Sequence, residues 1–382
     1  MQKNSFPYFD NNATTPLDTR VLDILKEYQA THFANPSSTS HPLGMMSHAL
    51  YKQHLSKIAE ILQVPDNDLI LTSGATESIN TAIKGLYFQY QSSKNHLISC
   101  KTEHAAVLST LQYLQKYHHA QITLLEVNSS GQINLEELEK SIQPYTLMVC
   151  LMAANNETGV LHPLDEVYKI CQEHKVLFFS DTTQLFGKSI LSHVPADIFC
   201  GSAHKFYGCK GIGFLVVRQL GRKIFLHPLI HGGAQQKYRS GTLPLPLIAA
   251  LATALEITHT NQQEKYNKLI IIRDYFETQM KQKFFVKIHA EDTSRIANTS
   301  NIQVPPNLYE PMLKLMKKFC YSHGSACSDG SGKPSHVLQS LGLTKHDIMH
   351  SFRFSFGHQN KQEEIDYFLS ELQTLAPFSP IS

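Results

Sequence analysis

Val176-Leu-Phe-Phe-Ser-Asp181-Thr-Thr-Gln184 and Ile198-Phe-Cys-Gly-Ser202-Ala-His-Lys205 are the stretches that decide the fold of this 382-residue chain. Each opens with a short apolar run and closes on polar side chains, with Asp181 in the first and Lys205 in the second. Such runs are typical of buried parallel strands, and open α/β sheets hold ligands at the carboxyl ends of their strands. The sequence therefore predicts an acid and a lysine at one edge of a sheet.

The alternation of apolar runs with helical patterns extends well beyond these two stretches. A helical example is Leu164, Val167, Ile170 and Cys171, which follow Pro163 at helical spacing. The pattern predicts an α/β domain with a mostly parallel sheet, covered by helices on both faces. Strand-like runs lie at 69–71, 96–99, 121–125, 146–150, 176–179, 198–200 and 213–217.

The alternation of strand-like and helical runs ends at Pro244 and Pro246, after which a second part of the chain begins. One long helical stretch is predicted from Leu247 past Tyr275, followed by a shorter α+β segment. We expect a large domain at 15–245 and a smaller α+β domain built from 1–14 and 246–382.

Composition excludes several classes of function. A net charge of +2 without blocks of like charge argues against a nucleic-acid or anionic-membrane partner. The N-terminal residues have no apolar core, and the longest apolar stretch, 147–154, is too short to cross a bilayer, so a cytoplasmic protein is expected.

The seven cysteines are odd in number and widely spread, which predicts reduced thiols and no metal site. Cys327 is the exception, because it lies in a loop of small polar residues at about 322–333 that predicts an exposed thiol. The others are Cys100, Cys150, Cys171, Cys200, Cys209 and Cys320.

The acid and lysine pair suits pyridoxal 5'-phosphate (PLP). An acid keeps the pyridine nitrogen of this cofactor protonated, and a lysine forms a Schiff base with its aldehyde. Taken singly, Lys205 reads equally as a solvated loop cation and Asp181 as a helix N-cap. The number of polar clusters at successive strand ends favours the cofactor.

Two of these clusters suit the phosphate and the ring. Thr72-Ser-Gly-Ala-Thr-Glu77 opens a helix whose N–H groups, with Thr76, Ser202 and His204, suit a phosphate, although a plain N-cap fits the motif as well. In Thr102-Glu-His104 the imidazole is placed to stack on a pyridine ring or to remain a solvated cap.

Two further clusters suit a substrate. The amides of Asn155-Asn-Glu-Thr-Gly159 are placed to reach the ring hydroxyl and a substrate carboxylate, and the alternative is an ordinary turn. Arg353 alternates with aromatic residues in Ser351-Phe-Arg-Phe-Ser-Phe-Gly357, where it forms either a surface salt bridge or a carboxylate clamp.

Together these motifs resemble the NifS/IscS-type cysteine desulfurases of the class V aminotransferase family. The resemblance runs in order from about residue 8 to about residue 370. It is carried by Asp10-Asn-Asn-Ala-Thr-Thr-Pro16, Asn35-Pro-Ser, Thr72 to Glu77, Thr102-Glu-His104, Asn155 to Gly159, Asp181 to Gln184, Ser202 to Lys205, Arg239-Ser-Gly-Thr242, Gly324-Ser-Ala-Cys327 and Arg353-Phe-Ser.

The resemblance implies a fold-type I PLP-dependent transferase with a seven-stranded, mostly parallel sheet, acting as a homodimer with its active site between the two domains. It also implies a role for each matching position. Lys205 is the Schiff-base lysine, Asp181 pairs with the pyridine nitrogen, His104 stacks on the ring, and Gln184 and Asn156 lie near the ring hydroxyl and substrate. The cofactor phosphate is held by Thr76, Ser202, His204 and the partner subunit's Thr242, and Ala75 also binds the cofactor. Asn35 and Arg353 bind the substrate carboxylate, and Cys327 forms the persulfide.

The implied activity converts L-cysteine to L-alanine and passes sulfur through Cys327 to an acceptor protein for iron-sulfur cluster or thio-cofactor assembly. Cys327 is then the residue that contacts such a cluster during transfer. The rival interpretations are a selenocysteine lyase or cysteine sulfinate desulfinase, an aminotransferase acting on other amino acids, and a non-catalytic PLP-fold adaptor. Cys327 favours cysteine, and an adaptor has no need of Lys205, Asp181, His104 and Cys327 together.

Three departures from the family pattern limit what the resemblance implies. Cys209 replaces the usual proline of the turn after the lysine, 231–239 is shorter than usual, and 301–320 is compressed. The chain also ends soon after Arg353, so docking of a sulfur acceptor there is left open.

Overall fold

The computed structural model describes residues 6–219, 221, 223–233, 235–323 and 334–376. Within them, seven strands form one sheet in the order β1-β7-β6-β5-β4-β2-β3, in which only β7 runs antiparallel to its neighbours. The predicted strands all appear. They are β1 Leu69–Thr72, β2 His96–Cys100, β3 Gln121–Leu125, β4 Thr146–Cys150, β5 Leu177–Asp181, β6 Ile198–Ser202 and β7 Gly213–Val217.

Helices precede, separate and follow these strands. In the first part of the described chain they are α1 Thr19–Thr31, α2 Pro42–Leu62, α3 Ala75–Tyr90, α4 Ala105–His118, α5 Leu135–Ser141 and α6 Leu164–Glu173, followed by α7 Leu245–His259. Short 3-10 turns lie at Asp66–Asp68 and Ala203–Lys205.

The sheet is buried on both faces because its strands are apolar at nearly every position. Along β5, Phe178 packs into one hydrophobic cluster, whereas Leu177 and Phe179 pack into another. Successive side chains of a strand point to opposite faces, so one apolar run supplies both cores. The edge strand β3 is the exception, since it is largely exposed.

A second, four-stranded antiparallel sheet follows in the order β10-β11-β9-β8. Its core is aromatic, with the rings of Phe276 and Phe354 4.5 Å apart. Its elements are α8 Gln262–Phe284, β8 Lys287–Ile288, β9 Thr299–Gln303, α9 Pro306–Leu315, β10 Ser322–His323, α10 His336–Ser340, α11 Lys345–Met349, β11 Ser351–Ser355 and α12 Gln362–Leu375.

The long helix expected after Leu247 is in fact two helices. The chain breaks between α7 and α8, where Asn261 adopts a left-handed backbone with φ 53°. Asparagine tolerates this conformation better than most residues. α7 packs against α1 and α2 in the core of the first sheet, whereas α8 supplies the core of the second.

The N-terminal segment crosses from the second sheet to the first. Asp10 bridges to Ser355 of β11, and the Asn11 N–H donates to the Ser355 carbonyl over 3.0 Å. The Thr15 N–H then donates to the carbonyl of His204, beside the end of β6, over 2.9 Å. Residues 8–15 are thereby held between the two sheets, while the domain limits at 14/15 and 245/246 stay a prediction.

None of the helices in these described ranges combines the length and the apolar character needed to cross a membrane.

Candidate active site

A cleft of about 400 Å³ opens at the carboxyl ends of the first sheet's strands. Its walls come from the ends of β5 and β6, the start of α3, and the turns after β2 and β4. Nine of the residues singled out from the sequence line it together. They are Ala75, Thr76, His104, Asn156, Asp181, Gln184, Ser202, His204 and Lys205.

Lys205 reaches the cleft from the turn that follows β6. Its amine donates hydrogen bonds to the carbonyls of Asn12 and Ala13 at 2.7 and 2.8 Å, so it is not a solvated loop cation. Burial, reinforced by the positive charge of Arg353, lowers the pKa of Lys205 from 10.5 to about 8. An amine with this pKa is partly neutral near pH 7.5, as a nucleophile or a base requires.

Asp181 ends β5, the strand next to Lys205's strand, and is buried. One of its oxygens accepts a hydrogen bond from the Thr183 N–H at 3.0 Å. The Thr183 hydroxyl is buried and has no hydrogen-bond partner in the described chain. The floor of the cleft thus offers a carboxylate beside a polar group that lacks a protein partner.

Glu103 is a second buried carboxyl near Asp181, and the sequence did not single it out. It accepts hydrogen bonds from the N–H groups of Met152 and, at 3.1 Å, His104. Burial, followed by the negative charge of Asp181, raises the pKa of Glu103 to about 8. Glu103 therefore keeps its proton at neutral pH, while its two contacts brace two residues of the cleft wall.

The start of α3 forms the anion-binding end of the cleft. The first N–H groups of a helix lack partners within the helix and attract anions. A Cβ atom built on Gly74, whose φ is +149°, would lie 3.2 Å from the Ser202 hydroxyl. Glycine at this position keeps the space between the helix start and β6 open.

Two basic side chains stand at the same end. Burial, then the charges of Lys205 and Lys210, lowers the pKa of His204 to about 4, so His204 is neutral at pH 7. Lys210, which sequence reasoning did not single out, supplies an exposed cation to the cleft. Backbone N–H groups, hydroxyls, a neutral imidazole and a cation make a donor set that fits a phosphate.

His104 caps a helix as well as lining the cleft. It is the N-cap of α4, and its Nδ1 accepts the Ala106 N–H at 3.1 Å. This contact leaves the proton on the other ring nitrogen. Asn155 likewise builds an ordinary turn by accepting the N–H groups of Glu157 and Thr158, which places Asn156 at the cleft wall.

Arg353 lies close to the cleft without lining it. It is buried, and its Nη2 donates to Asp10 at 2.7 Å and to Ser322 at 2.8 Å. Its Nη1 donates to the Asn156 carbonyl at 3.0 Å, and its Nε is buried without a partner in the described residues. Arg353 is therefore tied to the cleft wall by its hydrogen bond to Asn156, and its ion pair with Asp10 is largely shielded from solvent.

Two other predicted residues are not brought into the cleft of this single chain. Asn35 is exposed and accepts a hydrogen bond from the nearby Ser37 N–H at 2.9 Å. Thr242 is also exposed. Cys327 and most of the predicted persulfide loop lie outside the described residues.

Six of the seven cysteines lie in the described part of the chain. All of them are free, and Cys100, Cys150, Cys171, Cys200 and Cys209 are buried while Cys320 is partly exposed. In the same part of the chain, no group of three or more His, Cys, Asp or Glu residues is arranged to hold a metal ion.

Comparisons with known proteins agree with this architecture. Residues 7–368 match the family model of the class-V aminotransferases. The cysteine desulfurase IscS of Rickettsia felis is 37% identical over 382 residues, which cover 98% of this chain and 93% of that protein. The IscS of Rickettsia prowazekii is 36% identical over the same share of each chain.

Solved structures show the same likeness. A NifS-like protein superposes with a TM-score of 0.89 at 31% identity, covering 97% of this chain and 99% of that one. A structure described as SspA in complex with cysteine gives 0.80 at 32% identity, covering 93% and 100%. The predicted α/β fold, with its mostly parallel seven-stranded sheet, and the predicted family are confirmed.

Proposed function

We propose that this chain, which belongs to the class-V aminotransferase family, is a PLP-dependent cysteine desulfurase. The observation that carries the proposal is the pairing of Lys205 and Asp181 at the ends of two adjacent parallel strands in one cleft. Support comes from full-length relatives named cysteine desulfurase and from a similar structure described with cysteine. L-cysteine is the proposed substrate and L-alanine the product.

Different residues of the cleft would hold different parts of PLP. Thr76, Ser202, His204 and the first N–H groups of α3 would hold its phosphate, and the carboxylate of Asp181 would keep a proton on its pyridine nitrogen. When bound, PLP supplies an electron sink that acidifies the substrate Cα–H and weakens the Cβ–S bond.

Lys205 supplies the covalent attachment and the base. Its lowered pKa of about 8 makes the neutral amine available near physiological pH. The same nitrogen is the proposed acceptor of the substrate Cα proton and its donor back to product. Met152 and Ile79, both buried, contribute apolar surface to the cleft and limit water there.

Sulfur transfer is assigned to Cys327. Its thiolate attacks the substrate sulfur, an S–S bond forms, the Cβ–S bond breaks, and the released electron pair takes up a proton as alanine forms. Residues at or next to the two ends of the predicted persulfide loop, about 322–333, support the assignment. The Ser322 hydroxyl donates a hydrogen bond to the Asp10 carboxylate at 2.8 Å. The Ser335 hydroxyl donates one at 2.5 Å to the carboxylate of Glu157, the residue that follows Asn156 in the chain.

We further propose a cytoplasmic homodimer in which the partner subunit's Thr242 completes the phosphate site. The sulfur acceptor is proposed to be a scaffold or carrier protein. Crosslinking and sedimentation of the purified chain test the dimer. A monomer with full activity would remove this part of the proposal.

The first experiment tests the reaction. The purified chain should show a cofactor absorbance band and release alanine and sulfide from L-cysteine in the presence of a thiol. Lys205→Ala should lower turnover by about 10³-fold or more, since it removes both attachment and base. Lys169→Ala, at an exposed lysine of α6, is the matched control and should be unchanged.

A second experiment separates the rival functions. Cys327→Ser should bind L-cysteine yet release almost no sulfide, and mass spectrometry of the wild type should find the added sulfur on the Cys327 peptide. Cys320→Ser is the matched control. Full sulfide release by Cys327→Ser would favour a selenocysteine lyase, and a chain that binds PLP without turnover would favour an adaptor.

A further inference from the structure

Lys188 is a buried lysine next to the cleft that the proposed chemistry does not use. It is 4% exposed and does not line the cleft. Its amine donates a hydrogen bond to Oε1 of Gln184, one turn earlier in the chain. No carboxylate in the described residues forms an ion pair with it. A lysine is seldom buried this fully without a partner of opposite charge.

The charge state of Lys188 follows from its surroundings. Burial lowers its pKa well below the ordinary value, and the positive charges of Lys205 and Arg353 lower it further. This direction favours the neutral amine over the ammonium, because an unpaired buried ammonium loses its hydration without compensation. A neutral amine still donates an N–H to Gln184.

Two contacts, one with Lys188 and one with Asn12, hold the Gln184 amide. With Oε1 turned to Lys188, the Nε2 group donates to the Asn12 carbonyl at 3.1 Å. The amine of Lys205 donates to the same carbonyl at 2.7 Å. A flipped amide would set its oxygen against the Asn12 oxygen and lose that hydrogen bond, and it would also withdraw Oε1 from the Lys188 N–H.

We propose that Lys188 is a positioning residue that anchors the Gln184 amide by donating to its Oε1 and, through the shared Asn12 carbonyl, supports the position of the Lys205 amine. It acts by its hydrogen bond and not by charge. The inference rests on the proposed function, since Gln184 and Lys205 matter as residues that meet PLP. Without the amine of residue 188, the Gln184 amide keeps only its hydrogen bond to the Asn12 carbonyl.

A double-mutant cycle tests the proposal on the cofactor-loaded chain. Lys188→Met removes the donor and keeps most of the side-chain volume. We expect it to weaken PLP binding, measured by fluorescence, by about 3- to 10-fold, the value of one buried hydrogen bond. In a Gln184→Leu background the same substitution should have no further effect, because Lys188 acts through Gln184.

A spectroscopic readout separates positioning from charge. The pH midpoint of the cofactor absorbance should stay within about 0.3 units in Lys188→Met, whereas loss of a nearby cation would raise it. Lys188→Gln keeps a neutral donor and should lose less affinity than Lys188→Met. If Lys188→Met does not fold, a double-mutant cycle of Lys188→Gln with Gln184→Leu tests the proposal instead. Lys169→Met is the matched control.

The outcomes distinguish the inference about Lys188 from the proposed function on which it rests. Additive losses in the cycle, unchanged PLP affinity in Lys188→Met, or a raised pH midpoint would overturn the role of Lys188 alone. A wild-type chain without a cofactor band or alanine release would instead overturn the proposed function.

Discussion

The amine of Lys205 donates a hydrogen bond to the backbone carbonyl of Asn12 over 2.7 Å, although the two residues are 193 positions apart in the chain. The contact brings the N-terminal motif into the cleft and gives the buried amine an acceptor. It also places Lys205 within the influence of two carboxylates, since Asp181 and Asp10 raise its pKa while burial and Arg353 lower it more strongly.

The pKa of Lys205 predicts a pH dependence of stability. Because the folded pKa is about 8 and the unfolded value 10.5, the unfolded chain binds more protons between these values. The free energy of unfolding of the cofactor-free chain should therefore rise with pH in that window, by about 3 kcal/mol more than in Lys205→Met. Urea unfolding at several pH values measures this, and parallel curves for the two chains would contradict it.

Asp10 should support the protonated form of Lys205. Asp10→Asn removes that negative charge and also frees the positive charge of Arg353, its ion-pair partner at 2.7 Å. Both effects should shift the pKa of Lys205 further below about 8, as measured by the pH profile of amine labelling in the cofactor-free chain. Asp23→Asn, in an exposed ion pair with Lys26, is the control. An unchanged profile would remove Asp10 from this role.

The buried ion pair between Glu277 and Arg295 should be a large contributor to stability. Two hydrogen bonds of 2.7 and 3.0 Å join the side chains, which are 9% and 5% exposed. Glu277→Gln leaves a buried arginine without a counter-ion and should lower the free energy of unfolding by about 3–5 kcal/mol. Glu371→Gln, in an ion pair with the exposed Lys318, should cost far less, because water screens an exposed pair. Equal losses in the two variants would show that burial of the pair is not the cause.

Gly74→Ala should weaken cofactor binding more than it weakens the fold. The added Cβ would lie 3.2 Å from the Ser202 hydroxyl at the anion end of the cleft. We expect a loss in PLP affinity of about tenfold, comparable to one hydrogen bond to a charged group. Gly342→Ala, also at a positive φ of +84° but with open space around it, carries backbone strain without touching the cleft. If both variants bound PLP equally well, the anion site would not lie at the start of α3.

Much of the fold could be predicted from local patterns. Apolar runs such as 176–179 and 198–200 predict strands because a doubly covered sheet needs apolar residues on both faces, and polar residues after each run predict the site edge. The break between α7 and α8 was missed, since nothing in the apolar spacing around Asn261 announces a left-handed residue.

The sequence alone determined the strand order along the chain, the polar motifs at the strand ends and nine of the residues that line the cleft. The tertiary structure decided the protonation states and the second layer of contacts. Glu103 and Lys188 look like ordinary charged residues in the sequence, yet burial favours the neutral form of each. Burial and the distance between charges depend on which distant segments pack together. The Asn12 carbonyl, for example, accepts hydrogen bonds from Gln184 and Lys205, and no local sequence pattern predicts these contacts.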